Sequence, residues 1–149
     1  MHRPKESPGR RWPWVMVALP VVVSLTPGCE PAFPPIDPAV VDRPLPGPDT
    51  PIDPALAEAG RVIYDRRCLA CHKLGGGDLV GPDLAGVTGT RDPGWLRGII
   101  LSPDSMLRED PEARELLARF VVPMPDTELD EAGFRAVLEY LRSEAARLP

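Results

Sequence analysis

Cys68-Leu69-Ala70-Cys71-His72 is the stretch of this 149-residue chain that decides its fold. Two thiols three residues apart at a helix end can each form a thioether bond with one vinyl group of a haem. The histidine that follows directly is then placed beneath the iron as an axial ligand. The motif therefore predicts one covalently bound haem c, attached through Cys68 and Cys71 and ligated by His72.

Other sites built on a Cys-x-x-Cys motif fit the chain less well. Structural zinc takes four Cys or His ligands, and residues 29–149 offer only Cys29, Cys68, Cys71 and His72. Cys29 lies beyond a long proline-rich segment. A thioredoxin-like pair needs a βαβ setting, which the sequence does not indicate. A plain disulfide remains the third alternative, because exported proteins form them.

The second axial ligand is expected to be a methionine. His72 is the only histidine after residue 28, and Lys73 is too close to it to reach the opposite face of the iron. Met124 stands between two prolines in a segment without helical periodicity, which can hold its sulfur rigidly. The prediction is therefore Met124, while Met106 and an open or water-bound iron stay as alternatives.

The N-terminus combines four basic residues with a short apolar run, residues 12–25. This pattern predicts an export signal over residues 1–28, since a bilayer-spanning helix needs about 20 apolar residues. The segment resembles a bacterial lipoprotein signal, which implies that Cys29 is lipidated and becomes the mature N-terminus. An uncleaved anchor and an ordinary cleaved signal are the alternatives. All three place the domain on the extracytoplasmic, periplasmic side of a bacterial membrane.

Residues 29–51 contain eight prolines. Proline at this density disfavours helices and sheet ladders and favours an extended chain of about 3.1 Å per residue. The segment is therefore predicted to be a tether between the membrane and the domain of residues 52–149.

Helices are predicted through most of residues 52–149. Three Asp-Pro pairs, at 53–54, 92–93 and 110–111, place an N-cap acceptor directly before a proline whose φ is already helical. A fourth helix follows Asp130, with apolar residues at helical spacing. The predicted helices span residues 54–67, 93–101, 111–120 and 131–147, and no run alternates as a strand would. The expected fold class is all-α, with about four helices around one haem.

The charge balance argues against binding to nucleic acid. The chain carries a net charge of −5, and residues 29–149 hold 13 basic against 21 acidic side chains, a net charge of −8. Nucleic-acid binding needs a basic face.

From Pro54 to Leu148, the sequence resembles the class I cytochrome c family in its haem-attachment motif and its predicted helices. Gly60 and Tyr64 stand eight and four residues before Cys68, as a glycine and an aromatic do in that family. The resemblance implies that the first and last helices cross at Gly60, where the last helix brings Leu138-Glu139-Tyr140-Leu141.

The segment Gly81-Pro82-Asp83-Leu84 is similar to the family loop that follows the haem motif. The resemblance implies that the carbonyl of Pro82 accepts the Nδ1 proton of His72. It also implies that Leu84 packs on the porphyrin. Six further residues are expected only as core or haem-pocket packing: Trp95, Leu96, Ile99, Leu116, Leu117 and Phe120.

The family resemblance implies one-electron transfer rather than enzyme catalysis. Histidine and methionine ligation keeps six ligands on both Fe(II) and Fe(III), so that no position stays open for a substrate. Expected partners are redox proteins, such as a membrane oxidase, a reductase or another cytochrome, docked weakly. The alternative is a haem enzyme or gas sensor with an exchangeable sixth ligand.

Overall fold

Six α-helices follow one another in residues 33–148, the part of the chain that the computed structural model describes. A short 3-10 helix, Pro38–Asp42, precedes them. No strand occurs within residues 33–148, and the predicted all-α fold class is confirmed. The helices are α1 (Pro54–Arg67), α2 (Val87–Thr90), α3 (Pro93–Leu101), α4 (Pro103–Glu109), α5 (Pro111–Phe120) and α6 (Glu131–Ala145).

Aspartates begin four of these helices. The carboxylates of Asp53, Asp92, Asp110 and Asp130 accept hydrogen bonds from backbone N–H groups of the first turn, which have no partner within the helix itself. The predicted bounds of α1, α3 and α5 are confirmed. Helix α6 ends at Ala145, two residues before its predicted end, and the short helices α2 and α4 were not predicted.

Helices α1 and α6 form the most extensive helix pair of the described residues, and they cross at Gly60. A Cβ atom at Gly60 would overlap the carbonyl group of Ala136 and lie 2.9 Å from Cβ of Tyr140. The predicted crossing is therefore confirmed, since only a glycine lets the two backbones approach this closely. The most deeply buried side chains include Phe134 and Leu138 of α6, both 0% exposed.

Residues 33–51, named the strap from here on, differ from the extended tether that their prolines predict. They contain the 3-10 helix, which Asp37 caps. Val40 is only 4% exposed, and Phe33, Ile36 and Leu45 pack against the core. The physical reason is that apolar side chains between the prolines find buried sites on α1 and α6, so the strap belongs to the same compact unit as the helices.

None of the helices within residues 33–148 is long and apolar enough to span a bilayer. The predicted signal of residues 1–28, with Cys29, lies outside the described residues.

Candidate functional site

The Cys-x-x-Cys-His motif continues the last turn of α1. The backbone N–H of Cys68 donates to the carbonyl of Tyr64, and the N–H groups of Cys71 and His72 donate to the carbonyl of Cys68, at 3.0 and 2.9 Å. This turn brings both thiols and the imidazole to one end of α1. Both thiols are free, and burial raises the pKa of the Cys68 thiol to about 11, with a further contribution from Cys71.

The ring of His72 is held by two contacts. Its Nδ1 lies 2.9 Å from the carbonyl oxygen of Pro82. Because a carbonyl can only accept, Nδ1 carries the proton and donates it, which leaves the lone pair on Nε2 for a metal. A Cβ atom at Gly81 would lie 2.5 Å from Cε1 of the ring, so Gly81 packs directly on the imidazole. The hydrogen bond predicted for Pro82 is present.

Asp83 shapes the loop that carries Pro82. Its carboxylate accepts from the backbone N–H groups of Ala85 at 2.9 Å, Gly75 at 2.7 Å and Gly77 at 2.7 Å. These donors, the N–H of Ala85 first, lower the pKa of Asp83. No local sequence pattern predicted this role of Asp83, since two of its three donors, Gly75 and Gly77, lie eight and six positions before it.

Tyr64 braces the motif from inside the core. Its hydroxyl donates to the carbonyl of His72 at 2.9 Å, and its ring lies 5.4 Å from that of Tyr140. Only 1% of the residue is exposed, and this burial raises the pKa of its hydroxyl well above the usual value. The aromatic residue that the family resemblance indicates at this position thus supports the backbone of the histidine.

The motif opens into a cavity of about 260 Å³. All six predicted cofactor-binding residues, Cys68, Cys71, His72, Pro82, Leu84 and Met124, line it together. Apolar side chains of α3, α5 and α6 complete the wall. Among them are the six residues predicted as packing: Trp95, Leu96, Ile99, Leu116, Leu117 and Phe120.

The two candidate methionines occupy different places. Met124 lines the cavity, within the segment Pro123-Met124-Pro125. Met106 of α4 does not line it and packs against α3 instead, where a Cβ atom at Gly98 would lie 2.8 Å from its sulfur. The structure thus brings Met124, and not Met106, together with His72.

Two contacts anchor the segment after Met124. The buried hydroxyl of Thr127 donates to the carbonyl of Ile100 at 2.8 Å, at the end of α3. Glu128 forms an ion pair with Arg67 at 2.8 Å, at the end of α1. Both contacts link residues far apart in sequence, so no local pattern could have predicted them.

The cavity and its donor groups fit a haem c. One largely apolar cavity is lined by two thiols at thioether spacing, an imidazole with a free Nε2 and a thioether sulfur. Within residues 33–148, no group of three or more His, Cys, Asp or Glu side chains is arranged to hold a metal ion.

The sequence profile of the cytochrome c family matches residues 57–145 of this chain, more than half of its length. The chain belongs to the cytochrome c family. Its cofactor is covalently attached haem c, and the protein is a haem c electron-transfer protein. The class I resemblance and the cofactor prediction are confirmed.

Solved structures of similar proteins agree with the family assignment. A cytochrome c from Rhodothermus marinus is 36% identical, with a TM-score of 0.64, over 66% of this chain and 84% of its own. An engineered cytochrome c from Rhodothermus marinus, bound to a carbene intermediate, is 32% identical, with a TM-score of 0.63, over 73% of this chain and 95% of its own. The cytochrome c domain of a Pseudomonas putida protein is 37% identical, with a TM-score of 0.53, over 59% and 89%. No curated protein sequence matches this cytochrome c.

Proposed function

We propose that this cytochrome c carries single electrons with an iron held between His72 and Met124, on the extracytoplasmic side of a membrane. The observation that carries the proposal is that both side chains line one cavity with Cys68 and Cys71. When bound, the haem supplies an Fe(II)/Fe(III) couple whose potential is set by its axial ligands. The polypeptide supplies the position of those ligands.

Each ligand is held by its own element. Pro82 accepts the Nδ1 proton of His72, which orients the ring and makes Nε2 a better donor to a metal. Prolines on both sides of Met124 restrict the backbone that carries its sulfur, and Thr127 ties the same segment to α3. Little motion of the chain is then needed between oxidation states, which suits electron transfer.

The cavity offers few groups for acid–base catalysis. Of the residues that line it, Asp83 and Arg91 carry full charges. Asp83 is engaged by three backbone N–H groups, and Arg91 is paired with Glu112 and lies over the ring of Trp95. A carrier role therefore accounts for the site better than a haem enzyme that relies on acid–base groups does.

The partner is proposed to be a redox protein that docks weakly where the cavity meets the surface. Val80 and Val122 line the cavity, yet Val80 is 40% exposed and Val122 is 56% exposed. Their neighbours Leu79 and Val121 are 48% and 77% exposed. Such a contact depends on apolar area rather than charge, so its affinity should vary little with salt.

The membrane attachment is proposed at Cys29. It is supported by the basic residues and the apolar run that precede this cysteine. The mass of the intact mature protein tests it, because cleavage before Cys29 and acylation each change that mass. A mature protein that starts elsewhere or carries no lipid would contradict the anchor and leave the electron-transfer proposal standing.

The ligand set is tested by replacing each methionine with alanine. Met124→Ala should abolish the charge-transfer band that a methionine sulfur gives to ferric haem, and the ferrous protein should then bind carbon monoxide readily. Met106→Ala is the matched control and should keep the wild-type spectrum. An unchanged spectrum in Met124→Ala, together with ready carbon monoxide binding by the wild type, would favour an enzyme or gas sensor.

A further inference from the structure

The strap is fastened to α6 by Arg142, which also forms a buried ion pair with Glu139 of the same helix. Arg142 donates to the carbonyl groups of Gly47 and Thr50, and its Nη1 lies 2.7 Å from Oε2 of Glu139. The other carboxylate oxygen of Glu139 accepts from the backbone N–H of Asp53 at 2.6 Å. The two side chains are only 9% and 6% exposed.

Releasing the strap would therefore take two carbonyl acceptors from the buried guanidinium of Arg142, which would keep only Glu139 as a partner. Such a loss is strongly unfavourable, because a buried charge depends on its hydrogen bonds to replace water. A second fastening comes from Arg135 of α6, which donates to the carbonyl of Pro44. The strap is accordingly a fixed part of the domain and not a swinging tether.

The strap starts at the end of α1 that carries the haem motif. The ring of Phe33 lies under the guanidinium groups of Arg66 and Arg67, at 5.4 and 5.7 Å. These two arginines directly precede Cys68. From there the strap passes Leu56 and Ala59 near the start of α1 and then follows α6. A 14-residue helix is about 21 Å long. The strap therefore first contacts α1 about 21 Å from Pro54, at the end of the helix that carries the haem motif.

We infer that the strap holds the haem end of this cytochrome c at the membrane surface. The inference rests on the proposed anchor at Cys29. Three residues lie between Cys29 and Phe33, and the four Cα–Cα steps span at most about 14 Å. A free tether of residues 30–51, extended as its prolines favour at about 3.1 Å per residue, would instead reach about 70 Å. The partner that this arrangement fits is an integral membrane redox protein whose electron-entry site opens at the bilayer surface.

The experiment places the anchored holoprotein in nanodiscs that contain a headgroup-labelled fluorescent lipid. Energy transfer to the haem quenches the label, and quenching falls steeply with distance. Two variants carry the same 12-residue Gly-Ser insertion, one between Glu30 and Pro31, before the strap, and one between Pro51 and Ile52, after it. If the strap is fixed, the insertion after Glu30 lengthens the mean distance between the lipid anchor and Phe33 about two-fold. The insertion after Pro51 leaves that distance unchanged.

The insertion before the strap should therefore weaken quenching, and the insertion after it should not. On a free tether both insertions would change the distance between the anchor and the domain equally, since both would lie in the same flexible segment. Equal weakening, or no change in either variant, would overturn the inference. A holoprotein that does not associate with the nanodiscs would overturn it as well, through its anchor.

A second pair of variants avoids insertions altogether. Phe33→Ala should release the start of the strap from Arg66 and Arg67 and weaken quenching, whereas Arg147→Ala, which removes an exposed pair with Glu144 on α6, should not. Equal quenching in the two variants would argue against a fixed strap. All of these measurements require only covalent haem, so their outcome is independent of whether Met124 is a ligand or electrons are transferred.

Discussion

Replacing Gly60 with alanine tests the crossing of α1 and α6, on which the position of the haem motif depends. The new Cβ would overlap the backbone carbonyl of Ala136. A backbone group cannot rotate away, so the helices must separate, at a cost near the upper end of the 1–3 kcal/mol typical of overpacking. Alanine recovers about 1 kcal/mol of helix propensity. The net loss should be at least about 2 kcal/mol.

Thermal unfolding of the holoprotein, followed by circular dichroism, measures this loss. At about 4 °C per kcal/mol for a domain of this size, Tm should fall by at least about 8 °C. The matched control is Gly89→Ala in α2, where an added Cβ meets no atom within 4 Å, so Tm should stay the same or rise slightly. The reasoning is refuted if the two variants unfold at the same temperature.

Three further substitutions probe the supports of the site and the strap. Tyr64→Phe leaves the buried carbonyl of His72 without its donor and should lower the free energy of unfolding by about 1–2 kcal/mol in denaturant titrations; no change would show that the hydroxyl is dispensable. The lowered pKa of Asp83 gives stability that is complete above the unfolded pKa of about 3.9 and is lost as pH falls below it. Asp83→Asn should therefore flatten the acid side of a plot of Tm against pH, and parallel curves would contradict this. Arg142→Ala should lower the free energy of unfolding by about 3–5 kcal/mol and speed proteolysis within residues 33–51. Arg147→Ala should leave both unchanged, and equal digestion rates in the two variants would contradict the attachment of the strap by Arg142.

The sequence predicted those helices that begin with a local signal. Aspartate followed by proline marked α1, α3 and α5, because the cap and the fixed φ act within one turn. Helix α4 also begins with a proline, but Ser102 makes no side-chain hydrogen bond to its first turn. Asp37-Pro38 is the same signal within the strap, where it starts a 3-10 helix. For residues 29–51 the prediction gave more weight to the high proline content than to this Asp-Pro pair, and an extended segment was therefore expected.

The residues of the candidate site could be predicted from the sequence where their spacing along the chain fixes their relative positions. Cys68, Cys71 and His72 share one turn, and the family resemblance extended the site to Pro82. The contacts that hold the site together were not predictable. Thr127 reaches Ile100 across 27 positions, and Arg142 reaches Thr50 across 92. Such contacts depend on the packed fold rather than on any local pattern.

The most direct test of the account is the proton NMR spectrum of the reduced holoprotein. A methionine methyl group on the iron lies over the porphyrin ring, whose ring current shifts its resonance far upfield. Ligation by Met124 predicts one such methyl resonance in the wild type and in Met106→Ala, and none in Met124→Ala. A wild-type spectrum without a shifted methyl resonance, or a shifted resonance that survives in Met124→Ala, would contradict ligation of the iron by Met124.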